Sequence, residues 1–219
     1  CNINFTYFYN LSGCSEVLYW WINSRKCERI NIMKNSIKKP NILFIITDDQ
    51  GEWAVESEKN RDIKTPNLKR LANQGVTFDE FYCTSPVCSP ARASIVTGKI
   101  PSCHGVQDWL KKGNLDAYKY PNMAELPGFD MTDKAIDYLK DHKTYIQYLA
   151  DNGYNCALSG KWHLGDNITR KKGFKYYFTI GRGGCHYYQA DIFDNNTLSI
   201  SKEYITDTIT NLSLIHISE

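Results

Sequence analysis

The sequence predicts an α/β domain built on a mostly parallel sheet flanked by helices, and three observations carry that expectation. Asn41–Ile46 is a short continuous apolar run rich in β-branched residues, the pattern of a strand buried on both faces of a parallel sheet. Tyr154–Leu158 is a second run of similar length, read as another central strand. Segments of helical period lie between and around them, and such alternation of strand and helix favours a parallel sheet covered by helices. A chain of 219 residues with 42% apolar content can bury one sizeable core, which suggests one domain or at most two.

The elements follow in order. The first strand runs into Thr47-Asp-Asp-Gln-Gly51, and in open α/β sheets polar sites lie beyond the carboxyl ends of strands. Thr65-Pro66-Asn67 opens a helix, with Thr65 able to cap a free amide and Pro66 preset for the first helical position. Leu68, Leu71 and Ala72 recur at helical spacing, and Gly75 is expected to supply a left-handed stop. Val76–Tyr82 alternates like a strand, and Pro90–Val96 forms a further helix closed by Gly98. Residues 106 to 142, rich in polar residues and Pro/Gly punctuation, read as a long surface excursion with short helices. Tyr145, Ile146, Tyr148 and Leu149 make one helical face that ends at Asn152-Gly153, and the strand Tyr154–Leu158 then delivers Gly160–Gly165 to the same sheet edge as the acidic pair.

Composition excludes several classes. Lys and Arg number 26 against 24 Asp and Glu, spread along the chain, so no basic face argues for nucleic acid. No apolar run reaches the roughly 18 residues of a membrane span, and no secretory signal is legible. The eight cysteines are widely scattered and contain no Cys-x-x-Cys pair, which weighs against both a disulfide framework and a zinc ribbon. The first methionine is Met33. Residues 1–32 are read as a non-native or disordered leader, and a start at Met33 would imply a cytoplasmic chain.

Three groups of residues carry chemistry. Asp48 and Asp49 are adjacent anions at a strand end, where a hard divalent cation would offset their repulsion; the plainer alternative is one carboxylate capping a turn and one solvated. Cys88 stands where the first turn of a helix begins, so free amides there would stabilise a thiolate or another developing anion; otherwise it is an ordinary buried cysteine. Arg92 follows one helical turn later, able to direct a permanent cation toward Cys88. In an extended segment, Lys161 and His163 project to one side with Trp162 opposite, a pairing suited to a tetrahedral oxyanion.

Lys39-Pro-Asn-Ile-Leu-Phe-Ile-Ile-Thr-Asp-Asp-Gln50, Thr65-Pro-Asn-Leu68, Ser85-Pro-Val-Cys-Ser-Pro-Ala-Arg92, His104-Gly-Val106 and Gly160-Lys-Trp-His-Leu-Gly165 resemble successive sulfatase blocks in the family's order. The core is Cys88-x-Pro90-x-Arg92, the signature in which the cysteine is oxidised to formylglycine. The resemblance implies an alkaline-phosphatase-like α/β fold and a calcium-assisted hydrolase of sulfate monoesters. Carried over, it makes Asp48, Asp49 and the modified Cys88 calcium ligands, and Arg92 the stabiliser of the modified residue. It makes Lys161 and His163 the groups that hold sulfate and the formylglycine hydroxyls. His104, with Gln107, Asp108 and Trp109, lies in a region that can approach substrate, though a structural turn at His104-Gly105 is an equal reading. The implied mechanism hydrates the Cys88-derived aldehyde, attacks sulfur with one hydroxyl while metal and Lys161 offset charge, and releases sulfate as the second hydroxyl regenerates the aldehyde.

The implied partners are a sulfate ester, small molecule or carbohydrate, and a maturation enzyme that reads the signature. Residues 33–212 are expected to be the N-terminal part of a sulfatase catalytic domain, truncated before the remaining metal ligands and hence inactive in isolation, with 213–219 a foreign tail. A phosphonate or phosphate-ester hydrolase using the same nucleophile is the nearest alternative. A noncatalytic metal- or anion-binding fragment, and a redox or zinc role for Cys83, Cys88 and Cys103, stand further away.

Overall fold

The computed structural model describes residues 4–8, 16–23, 39–57, 60–78, 80–110 and 135–218. The chain divides into two units, Cys1–Cys88 and Ser89–Glu219, each with its own four-stranded sheet.

In the first unit, strands β1 (Asn4–Phe8), β2 (Glu16–Asn23), β3 (Asn41–Asp48) and β4 (Val76–Phe78) lie in the order β3-β2-β1-β4. β2 runs antiparallel to both neighbours, and β1 pairs parallel with β4. β3 is thus an edge strand, with Asn41, Ile45 and Asp48 exposed, and not the doubly buried central strand expected from its apolar run. The reason is that a short continuous apolar run carries no information about its partner or direction. Here the partner is β2, which lies within residues 1–32 and pairs Leu18 with Ile46.

Helix α1 (Pro66–Gln74) starts at its proline as expected, but Thr65 does not cap it. Thr65 Oγ1 instead accepts the Glu56 N–H at 2.9 Å, and the Glu56 carboxylate accepts the Thr65 N–H in return, tying the helix start to the preceding loop. Gly75 ends the helix in an extended conformation, where a left-handed one was expected; the following strand β4 draws it straight on. Of the strand expected over Val76–Tyr82, the first three residues form β4, and Glu80, Phe81 and Tyr82 are not in a strand.

In the second unit, β5 (Cys156–Gly160), β6 (Phe174–Ile180), β7 (Asp191–Asp194) and β8 (Thr197–Ile200) lie in sequence order, β5 parallel to β6 and the rest antiparallel. The mostly parallel sheet is therefore corrected to two mixed sheets, with β3 and β5 in different ones and β5 at an edge. Tight connections such as the two residues between β7 and β8 permit only antiparallel neighbours.

Helix α2 (Cys88–Thr97) ends at Gly98 in the left-handed region, φ 67°, as its sequence predicts. Helix α3 (Pro101–His104) follows, and α4 (Tyr145–Asp151) is opened by a complete capping box between Thr144 and Gln147. α5 spans Ile205–Ser218, with Asp207 in its first turn. Of the excursion at 106–142, residues 111–134 lie outside the described set, and the described parts carry no helix.

Two apolar clusters hold the unit together. Ala93 and Val96 of α2 pack with Val106, Leu139, Ile146, Trp162, Leu164 and Tyr177. Phe178, Ile180, Ala190, Ile192 and Ile205 form the second. Trp162 meets Phe174 and Tyr177 edge to face at 5.9 and 6.4 Å between ring centroids, which fixes the loop after β5 on the sheet.

Candidate active site

Cys88 opens α2, the helix whose start the sequence marks by Pro90: a proline in the first turn loses no helical hydrogen bond. Cys88 is partly exposed, whereas Ser89, Pro90, Ala91 and Arg92 behind it are buried. The helix is therefore anchored on one side and presents its first residue at a half-open position.

The anchor is a closed hydrogen-bond network around His163. Its imidazole is fully buried, with Nε2 3.0 Å from the Leu110 carbonyl and Nδ1 3.3 Å from Ser89 Oγ. A carbonyl only accepts, so Nε2 carries the hydrogen and Nδ1 is left to accept from the Ser89 hydroxyl. Ser89 Oγ in turn accepts the Leu110 N–H at 3.2 Å. Trp109, half exposed, stands edge-on to the imidazole at 6.3 Å.

The backbone of His163 is in the left-handed region, φ 57°, a conformation that costs a non-glycine residue about 1–2 kcal/mol. The fully buried Asn167 offsets this: its Oδ1 accepts the His163 N–H at 3.1 Å and its Nδ2 donates to the Gly181 carbonyl at 3.2 Å. Gly183 closes the cage, since a Cβ there would overlap the imidazole. The extended geometry expected for Lys161–His163 is thus broken at His163, and Trp162 points into the core while the imidazole turns to α2.

Arg92, buried to 7% exposure, donates from Nη1 to the Lys161 carbonyl at 2.7 Å. Together with Ser89–His163, this fastens both ends of the first α2 turn to the loop carrying Lys161 and His163. Lys161 itself is partly exposed.

His104 is buried between α2 and α3. The Val106 N–H donates to Nδ1 at 3.1 Å, so Nε2–H faces Ser94 Oγ at 2.9 Å. Burial, followed by the charges of His142 and Lys99, pushes its pKa below the ordinary histidine value. Both ring nitrogens serve the α2–α3 junction, which is the turn reading of His104-Gly105.

In the first unit, Asp48 is the last residue of β3 and Asp49 follows in the left-handed region, φ 53°, both exposed. That turn interrupts the strand's alternation at the acidic pair. Two carboxylates are a hard-cation donor set. Among the described residues, no group of three or more His, Cys, Asp or Glu side chains gathers as cation ligands.

The sulfatase family model matches residues 40–214, a span that contains Asp48, Asp49, Cys88, Arg92, His104, Lys161 and His163. The chain belongs to the sulfatase family. It is 31% identical over 188 residues to the N-acetylglucosamine-6-O-sulfatase of Bacteroides thetaiotaomicron, matching 84% of this chain and 28% of that protein. Human steryl-sulfatase is 32% identical over 155 residues, covering 67% of this chain and 24% of the enzyme. A solved structure, of a protein bound to its substrate D-glucosamine-2-N,6-O-disulfate, shares the fold with a TM-score of 0.56 and 28% identity, over 74% of this chain and 27% of that one. The matched part of this sulfatase thus spans about a quarter of the relatives' length.

Three positions in the cluster around His163 have little or no signature in the sequence. Ser89 occupies a variable place inside the signature, and Asn167 follows the Gly160–Gly165 block with no distinguishing context. Gly183-Gly184 was the one available signal, because paired glycines mark close backbone approach.

Proposed function

We propose that this chain is the part of a sulfatase that carries its nucleophile precursor, and that the whole protein hydrolyses the sulfate monoester of an amino sugar through formylglycine made from Cys88. The observation that carries the reading is the pinned first turn of α2: Ser89 bonded to His163 and Arg92 to the Lys161 backbone, with Cys88 leading it. The sugar class rests on the names of the relatives, an N-acetylglucosamine-6-O-sulfatase and the N-acetylgalactosamine-6-sulfatases of human and dog.

Each residue then has a role in the proposal. When present, formylglycine supplies a hydrated aldehyde with one oxygen to attack sulfur and a second through which sulfate is later released. The free amides of the first α2 turn favour negative charge beside position 88. Arg92, buried and fixed through Lys161, keeps a permanent cation one turn along the same helix. The Lys161 ammonium offsets charge on the sulfate oxygens, and Trp109 with the buried His163 keeps water from the inner side of the turn.

Asp48 and Asp49 would hold calcium, whose charge would further offset that of the sulfate. Two carboxylates and one formylglycine oxygen fall short of the usual six to eight ligands, so further oxygen donors would have to complete the calcium shell. A maturation enzyme that reads Cys88-x-Pro90-x-Arg92 is the implied partner. No helix among the described residues is long and apolar enough to cross a membrane.

The test is a parallel assay of the whole protein on N-acetylglucosamine 6-sulfate and on a phosphonate monoester of similar size. Faster release of sulfate supports the reading. Preferential cleavage of the phosphonate would transfer the same nucleophile to the alternative chemistry.

A further inference from the structure

The loop joining β6 to β7 packs Gly183 against the His163 ring at one end and carries two exposed tyrosines at the other. Tyr187 and Tyr188 are 68% and 64% exposed, and both lean on Tyr204, which precedes α5. Their centroids lie 5.8 and 5.6 Å from that of Tyr204, inclined at 36° and 45°. Three phenol rings thus form a faceted surface, mostly open to solvent.

The platform is held in place. The Ile205 N–H donates to the Tyr187 carbonyl at 2.8 Å, the Ser201 N–H to Ala190 at 2.8 Å, and the Gly181 N–H to Asp191 at 2.9 Å. Arg182 and Asp191 pair at 3.1 Å beneath the loop, the aspartate side chain 8% exposed. Large rings on a fixed backbone lose little freedom when they bind, which is why tyrosine serves contact surfaces that must be apolar on the face and polar at the rim. Exposed His186, Gln189, Lys202 and Glu203 flank the rings in sequence.

From this we infer that Tyr187, Tyr188 and Tyr204 form a stacking subsite for a sugar ring. A pyranose is the ligand whose shape fits: an apolar C–H face to lie on phenol rings, and hydroxyls around its edge for the polar rim. Tyr187 is four positions along the chain from Gly183, so the platform begins within about 14 Å of the His163 cage. The subsite rests on the amino-sugar reading for its choice of sugar, but its contacts need no sulfate and no modified cysteine.

The experiment uses that independence. The full chain with Cys88→Ala is titrated with unsulfated N,N′-diacetylchitobiose, following tyrosine ring resonances by NMR. Tyr187 and Tyr188 signals are expected to shift, and the Tyr187→Ala/Tyr188→Ala pair to weaken binding by about tenfold or more, while the Tyr→Phe pair retains it. Circular dichroism of each variant guards against misfolding. Unshifted tyrosine signals, or unchanged binding in the alanine pair, would overturn the subsite. So would a wild-type dimer that the alanine pair dissociates, since a second copy would then occupy the rings. Sulfate release from an aryl sulfate by the whole protein reports separately on the proposed function.

Discussion

Ser89 Oγ lies 3.3 Å from His163 Nδ1, and through this bond the residue after Cys88 is tied to a buried imidazole 74 positions later in the chain. The hydroxyl is doubly used, since it also accepts the Leu110 N–H.

Replacing Ser89 by alanine leaves both His163 Nδ1 and the Leu110 amide without this partner in a buried setting. The expected cost is about 1–3 kcal/mol of stability, with sulfate release by the whole protein falling mainly in kcat, and Ser89→Thr restoring most of both. Thermal unfolding and steady-state kinetics read the two effects. A silent alanine variant would show that the bond positions nothing.

Asn167 gives a sharper comparison. Asn167→Ala removes the acceptor for the strained His163 amide, at an expected cost of about 1–3 kcal/mol. Asn167→Asp keeps that acceptor but cannot donate to the Gly181 carbonyl, so its loss should lie between wild type and alanine. Equal melting temperatures for all three proteins would contradict the cage.

The pH dependence of stability follows from His104. Its folded-state pKa is depressed by burial, then by the charges of His142 and Lys99, so below the ordinary value of about 6.5 the unfolded chain takes up a proton that the folded chain resists. The unfolded state then binds more protons, and stability contributed above that pH is lost as the pH falls toward the depressed value. His104→Gln should flatten this part of the melting-temperature profile. An unchanged slope would assign the acid sensitivity elsewhere.

For calcium, the two carboxylates alone predict weak binding by the 219-residue chain, no tighter than on the order of 10⁻⁴ M, abolished by Asp48→Asn/Asp49→Asn. Tight binding that survives the double substitution would remove the acidic pair from the metal site.

Much of the local structure was legible, and the reasons separate by range. Pro90 and Gly98 frame α2, and the Tyr145–Leu149 face with its Asn152-Gly153 stop marks α4, because periodicity and breakers act within a few residues. The signature, the acidic pair and the Gly160–Gly165 block were legible as family sequence for the same local reason, and all lie inside the span that the sulfatase model matches. Strand partners were not: the apolar run of β3 suits either face of either kind of sheet, and its antiparallel neighbour β2 had no clear period. The left-handed turn at His163 was equally hidden, since Asn167 and the Gly183 backbone that make it affordable join it only in three dimensions.

The central claim is that Cys88 becomes the nucleophile, and the most direct measurement is the mass of its peptide after the chain is produced together with a formylglycine-generating enzyme. The account predicts the loss of mass that accompanies conversion of thiol to aldehyde, and capture of that peptide by a hydrazide reagent. A Cys88 peptide that keeps its thiol mass and alkylates as a cysteine, under conditions in which a control peptide carrying the same signature is converted, would contradict it.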